Sequence, residues 1–163
     1  IMMSLPSLVF AIAIVAAVGA SLLGTVLAIG ITSIPIYIRL TRSVVLGLKS
    51  RDFVQAAVAL GARMDRIIIR HLLPNTLGPI IVQSTLGLGS AILMESGLSF
   101  LGLGAQPPTP TWGGMIAEGR EFLYSGPHLI TVPGIFIMIT ILGFNLLGDG
   151  LRDALDPRLR GRA

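Results

Sequence analysis

The 163-residue sequence contains no cysteine and little charge, since Asp, Glu, Lys and Arg together make up only 12% of it. Without cysteine, disulfides, thiolate metal sites and cysteine nucleophiles are all excluded. A soluble domain carries roughly 25% charged residues, whereas this chain is 53% hydrophobic and has a mean hydropathy of +0.85. The scarcity of charge predicts an all-α fold, a polytopic transmembrane helix bundle.

The residue patterns that carry enzymatic chemistry are missing as well. No glycine-rich loop followed by Lys and Ser or Thr occurs, so ATP is not bound by that device. No His-Glu-x-x-His pair occurs, and the eight acidic residues are dispersed, which leaves no carboxylate pair for acid–base catalysis. We therefore expect no enzymatic activity, no metal site and no cofactor in this chain.

The basic residues are concentrated in two places. Seven of the twelve Lys and Arg residues lie from Arg39 to Arg70, and four lie from Arg152 to Arg162. Neither cluster has the interleaved aromatic residues that stack on bases, so nucleic acid is not an expected partner despite the net charge of +4. Positive charge beside a membrane span marks the cytoplasmic side, and we expect both clusters there.

Long uncharged runs predict the membrane spans. As one helix, residues 1–38 would measure about 57 Å, nearly twice the roughly 30 Å hydrocarbon core, so the chain must fold back near Gly19–Gly24. About four spans are predicted, over about 3–18, 24–41, 75–96 and 128–148. Because the chain begins inside an apolar run without a basic flank, we expect a single membrane domain whose earlier spans precede this fragment.

The segments outside these spans differ in composition. Glu95 is expected to end the third span. Residues 97–127 are rich in Gly and Pro and are predicted to lie outside or to fold against other helices, with a short surface helix over Met115–Leu123 and Trp112 at the interface. Residues 149–163 are predicted to form a cytoplasmic tail.

Residues 50–74 form the longest charged interruption and carry two amphipathic periods. Phe53, Ala56, Ala57 and Leu60 share the spacing of one helical face, and Met64, Ile67, Ile68 and Leu72 share that of a second. Gly61 is expected to close the first helix, because glycine tolerates a left-handed turn. Leu73-Pro74 is expected to end the second, because proline disfavours a helical residue before it.

The order Gln55-Ala56-Ala57, Gly61 and Leu73-Pro74 resembles the two-helix cytoplasmic coupling loop, or "EAA" loop, of permease subunits in binding-protein-dependent ABC importers. Gln55 replaces the glutamate of that pattern, and His71 stands where isoleucine is commonest. Three later segments, 98–104, 107–114 and 145–157, resemble the dipeptide, oligopeptide and nickel branch of these importers.

The resemblance implies a permease subunit of the bacterial cytoplasmic (inner) membrane that moves small peptides or a related solute. It implies ABC ATPase subunits that hydrolyse ATP, a second homologous permease subunit, an extracytoplasmic solute-binding protein and membrane lipid as partners. The solute stays open among small peptides, a glutathione-like conjugate and chelated nickel. The residues expected to couple the loop to the ATPase are Asp52, Gln55, Ala56, Ala57, Gly61, Ala62, Arg63, Asp65, Leu73 and Pro74.

Four polar residues of the predicted spans, Gln83, Ser84, Glu95 and Asn145, are candidates for the solute pathway. For Gln83 and Ser84 the alternative is a role in bonding neighbouring helices, for Glu95 it is solvation near the outer surface, and Asn145 is a candidate for a buried amide. Other functional classes also stay open at this point. The loop is compatible with an ordinary interfacial hairpin, and the spans are compatible with a channel, a secondary transporter or a membrane scaffold, none of which requires an ATPase. An intramembrane enzyme would need a catalytic pair that is not visible.

Overall fold

The computed structural model describes residues 5–155, most of which are helical. A π-helical turn, Ile68–Leu72, joins α4 to α5, and a 3-10 turn, Arg120–Phe122, follows α6. No strand occurs among residues 5–155, and the predicted all-α fold class is confirmed. The α-helices in chain order are α1 (Ser7–Val18), α2 (Leu22–Lys49), α3 (Asp52–Ala59), α4 (Met64–Ile67), α5 (Leu73–Phe100), α6 (Trp112–Gly119) and α7 (His128–Leu155).

Three helical segments of the described residues, Leu22–Lys49, Met64–Phe100 and His128–Leu155, are long and apolar enough to cross a bilayer. Large apolar side chains stand exposed along all three, as hydrocarbon-facing helices require. The 12 residues of α1 measure about 18 Å, less than the roughly 30 Å core, so the first predicted span stays a prediction. Residues 3 and 4 of that span lie outside the described residues.

The first of two compact units contains the described residues up to Pro35 together with Leu86–Leu146. Its core consists of Ala11 and Val15 of α1, Ala28 of α2 and Leu98 of α5, all buried. The two alanines let the helix backbones approach closely, as small residues do in membrane bundles.

The chain reverses between α1 and α2, within the predicted Gly19–Gly24 stretch. Gly19 has φ of 106°, a left-handed value that favours glycine. The Ser21 hydroxyl accepts a hydrogen bond from the Gly24 N–H at 3.0 Å and thereby caps the start of α2. A Cβ at Gly24 would overlap the Gly19 carbonyl oxygen, so the turn closes tightly only with glycine there.

Helix α5 continues past Glu95, the predicted end of the third span, to Phe100, and the span boundary itself stays a prediction. The Glu95 carboxylate accepts a hydrogen bond from the Ser99 hydroxyl at 2.6 Å, one turn further along the same helix. The helix then ends at a glycine: Gly102 has φ of 76°, and the Leu103 N–H bonds to the Leu98 carbonyl at 2.8 Å. Because the Glu95 carboxylate is hydrogen-bonded to a residue of the same helix, the helix continues past it.

The Gly- and Pro-rich segment packs against α5 and α7. Gly104 and Gly113 lie so close to Ser99 and Ser96 of α5 that neither position has room for a Cβ. The short helix α6 begins three residues before its predicted start at Met115, because the Thr111 hydroxyl accepts a hydrogen bond from the Gly114 N–H at 3.0 Å.

The far end of the chain also differs from the prediction. Helix α7 runs to Leu155, so the first part of the predicted tail is helical. Residues 156–163 of that tail lie outside the described residues. The predicted boundaries of the last span and of the tail therefore stay predictions.

Candidate functional site

The second compact unit contains the candidate coupling loop. It comprises Ile36–Thr85 together with the described residues from Leu147 on. Helix α3 begins after Arg51, whose backbone is extended, and Asp52 lies in the first turn. A carboxylate there interacts favourably with the positive end of the helix dipole. Gln55 is exposed, and its Nε2 lies 3.5 Å from the Ser50 carbonyl oxygen, at the outer limit of a hydrogen bond.

Gly61 closes α3 in the way the sequence predicted. It has φ of 75°, and its N–H bonds to the Val58 carbonyl at 2.9 Å. The next N–H, of Ala62, bonds to the Ala57 carbonyl at 3.0 Å. These two bonds define a Schellman motif, in which the residue at the glycine position adopts a left-handed conformation. The corner between α3 and α4 is therefore a fixed turn.

A small core holds the two halves of the loop together. Val54 of α3 packs with Ile67 and Leu72, and all three are buried. Val45 and Leu48 of α2 pack against this core, as do the small side chains of Ala57 and Ala62 on either side of the corner. The loop is thus attached to the end of α2 by packing as well as by the chain.

The apolar face that the sequence predicted for α3 is not the face that packs on the chain. Val54 is buried, whereas Phe53, Ala56 and Leu60 are exposed, Leu60 to 88%. The physical reason is that α3 carries two apolar stripes, and the stripe that contains Val54 and Ala57 is the one that packs against α2 and the π turn. Of the predicted stripe, Ala57 packs on this core, and Phe53, Ala56 and Leu60 stay exposed.

The predicted end of the second helix at Leu73-Pro74 is wrong, because the chain stays helical from Met64 to Phe100. In a regular α-helix the Pro74 ring would meet the Arg70 carbonyl and offer no N–H. Here the Leu73 N–H bonds to the Ile68 carbonyl, five residues back, and the Asn75 side chain donates to the His71 carbonyl at 2.7 Å. The wider π turn accommodates the proline without a break.

An open groove of about 800 Å³ lies between α3 and the segment from α4 to the π turn. We call it the coupling groove. Its apolar wall comprises Phe53, Ala56 and Leu60, and its basic rim comprises Arg63, Arg66 and Arg70. At one end the rings of Phe53 and His71 are tilted by 44° with centroids 6.2 Å apart. Asp65 also lines the groove, and its carboxylate lies 3.4 Å from the Arg63 guanidinium.

The structure brings most of the predicted coupling residues together around this groove. Ala56, Ala57, Gly61, Ala62, Arg63 and Asp65 line it. Asp52, Gln55, Leu73 and Pro74 do not, and all four are exposed. Sequence reasoning missed Phe53, Leu60, Arg66 and Arg70 as site residues. The four-residue spacing of Arg66 and Arg70 was the available signal, since it places two cations on one helical face.

The candidate pathway residues have different surroundings. Ser84 accepts a hydrogen bond from the Tyr37 hydroxyl at 3.3 Å, which joins α5 to α2. Gln83 is half-buried beside it. In the first unit, Asn145 is exposed, not buried as the sequence had suggested, and its amide oxygen faces Gly89 of α5. Glycine at that position leaves the Asn145 side chain uncovered.

Residues 1–161 match the family described as "Binding-protein-dependent transport system inner membrane component". The chain is 52% identical, over 98% of its length and 53% of the relative, to a dipeptide transport system permease protein of Alkalihalophilus pseudofirmus. It is 49% identical, over its whole length and 54% of the relative, to a di/tripeptide transport system permease protein of Pseudomonas aeruginosa. A glutathione transport system permease protein of Escherichia coli is 45% identical over 99% of the chain and 53% of that relative. The chain spans about half the length of the curated relatives it matches.

Proposed function

The chain belongs to the family of binding-protein-dependent transport system inner membrane components, and from this premise we propose that it acts in the permease subunit of an ABC importer for small peptides. In this proposal the permease moves its solute across the cytoplasmic membrane, and ATP is hydrolysed on separate ATPase subunits. A second homologous permease subunit and an extracytoplasmic solute-binding protein complete the importer. The peptide class rests on the dipeptide, di/tripeptide and glutathione systems of the relatives.

The loop over residues 50–74 is the proposed contact with the ATPase. The observation that supports this role is the uninterrupted helix from Met64 to Phe100, which begins in the loop and is long enough to cross the bilayer. A displacement applied at α4 would move α5 directly, because no flexible joint separates them. This mode of transmission suits alternating access, in which rigid segments rock around a central site.

The individual residues take specific parts in this mechanism. Gly61 sets the corner, and Ala57 and Ala62 keep its two sides close. Asp52, Gln55, Ala56, Arg63 and Asp65 are presented toward the ATPase on the exposed side of the loop. Leu73 and Pro74 form the junction through which motion passes into α5. Gln83, Ser84, Glu95 and Asn145 are the proposed pathway residues, and Ser84 also accepts the hydrogen bond from Tyr37 that links two helices.

The test compares two substitutions of Gly61 in the assembled transporter. Gly61→Val places a β-branched side chain at a positive φ, which such residues avoid, whereas Gly61→Asn is tolerated there. Both variants should insert into the membrane normally. The valine variant should hydrolyse ATP without the matching uptake of peptide, and the asparagine variant should stay close to wild type. Equal coupling of hydrolysis to uptake in all three proteins would refute the proposed role of the loop.

A further inference from the structure

The coupling groove is a preformed surface on the loop. We propose that it receives an apolar side chain flanked by carboxylates, carried by the ATPase subunit that docks there; this inference rests on the proposed function. The permease loop would then contact the ATPase and would also receive a side chain of the ATPase in its groove. Three properties of the groove support this occupant: an exposed apolar wall, an unbalanced positive rim and rigid sides.

The apolar wall indicates contact with a protein side chain. Leu60 is 88% exposed and Phe53 is 44% exposed. Removal of apolar surface from water is favourable, so an apolar group placed against this wall would bind favourably. The groove volume of about 800 Å³ has room for more than one side chain, as a short projecting segment would require.

The rim indicates the charge of that segment. Three arginines and one aspartate line the groove, and the Arg63 guanidinium lies 3.4 Å from the carboxylate of that aspartate, Asp65. Arg66 and Arg70 form no ion pair with any acidic residue in the described part of the chain. A guanidinium binds carboxylates in a planar, two-bond geometry. Acidic residues beside the inserted apolar group would therefore complement the rim.

The sides of the groove are fixed before anything binds. On one side the Schellman bonds of Gly61 and Ala62 hold the corner. On the other, Ile67 and Leu72 are buried against Val54. A preformed groove loses little conformational entropy on binding, which favours a specific occupant over loose association.

The test measures how firmly ATPase subunits are retained on the tagged, detergent-solubilised transporter as salt is raised. Leu60→Ser removes one apolar side chain of the wall, and Arg66→Glu combined with Arg70→Glu reverses the charge of two of the three arginines of the rim. Ile69→Ser and Arg51→Glu are matched controls, since Ile69 is 67% exposed and Arg51 is exposed, and neither lines the groove. Each groove variant should weaken ATPase retention by about tenfold or more, as loss of a buried hot spot does, and the controls should stay within about twofold.

The charge-reversed variant gives a second readout. On the ATPase, replacing the acidic residue that contacts the rim with lysine should restore ATPase retention by the Arg66→Glu/Arg70→Glu permease. The same lysine variant should weaken ATPase retention by the wild-type permease. Retention equal to wild type in all groove variants would overturn the proposal. The proposal would also be overturned if the groove variants retained the ATPase normally and lost only their binding to phosphatidylglycerol vesicles, since the groove would then contact anionic lipid. Either result, obtained while Gly61→Val still uncouples transport, would leave the proposed function intact and remove only this inference.

Discussion

The indole ring of Trp112 stacks on the phenyl ring of Phe136, with centroids 6.0 Å apart and an angle of 18° between the ring planes. Phe136 lies two turns, about 12 Å, beyond the first residue of α7. At its other end, α6 brings Gly119 against Leu129 and Ile130, in the first turn of α7. Helix α6 therefore runs antiparallel to the start of α7 and is held at both ends.

Replacing Trp112 with alanine should destabilise this helix pair. The aromatic pair contributes about 0.5–1.5 kcal/mol beyond the apolar area it buries. We expect Trp112→Ala to lower the midpoint of thermal unfolding of the detergent-solubilised protein, and Trp112→Phe to retain most of the stability. Tyr124→Ala is the control, since Tyr124 is fully exposed. Equal midpoints for Trp112→Ala and Tyr124→Ala would mean that the stacking contributes nothing.

Gly113 should be the least replaceable glycine of the Gly- and Pro-rich segment, residues 97–127. A Cβ there would overlap the Ser96 backbone, which belongs to α5 and cannot move aside. Overpacking of this kind costs about 1–3 kcal/mol or more, and we expect Gly113→Ala to reduce the yield of folded protein and its unfolding midpoint.

Gly134→Ala provides the matched control for that substitution. It lies within α7 and has no neighbour within 4 Å of the added Cβ. Alanine is favoured over glycine in a helix interior by about 1 kcal/mol. The control should therefore be neutral or slightly stabilising, and a loss of stability as large as that of Gly113→Ala would show that the Ser96 contact is not the cause.

The turn at Gly61 was predictable from a local rule, and the reversal near Gly19 was predictable from the length of the uncharged run. Gly19 and Gly61 both adopt positive φ, and both stand where an apolar period ends. A glycine at the end of an apolar period can be predicted from the sequence alone to adopt the left-handed conformation that ends a helix. The same kind of reasoning predicted the membrane helices from uncharged length.

What the sequence could not reveal depends on contacts between distant residues. The rule that proline ends a helix is local, whereas the π turn before Pro74 is accompanied by burial of Ile67 and Leu72 against α3. Likewise, α3 carries two apolar stripes, and only the packing of Val54 on α2 decides which one is covered. Because the stripe that contains Leu60 is the uncovered one, Leu60 lines the groove, and the groove could not be predicted before the fold was known.

The hydrogen bond from Tyr37 to Ser84 allows the two roles left open for Ser84 to be separated. If this residue joins helices, Tyr37→Phe and Ser84→Ala should each lower stability slightly, and the double variant should lose no more than either one. The coupling energy expected for such a bond in a membrane protein is about 0.6 kcal/mol. Peptide uptake per folded transporter should stay unchanged. A change in uptake kinetics with Ser84→Ala but not with Tyr37→Phe would instead place Ser84 on the pathway.

The orientation of the chain can be tested directly because these 163 residues contain no cysteine. The Arg63 side chain is 87% exposed and Tyr124 is fully exposed, so cysteines at both positions should react freely wherever reagent is present. A membrane-impermeant maleimide should label Tyr124→Cys in intact spheroplasts and Arg63→Cys only after the membrane is permeabilised. The reason is the distribution of basic residues, which predicts that the loop lies on the cytoplasmic side. Labelling of Arg63→Cys from outside would invert the topology, and a loop on that side would be out of reach of any cytoplasmic ATPase.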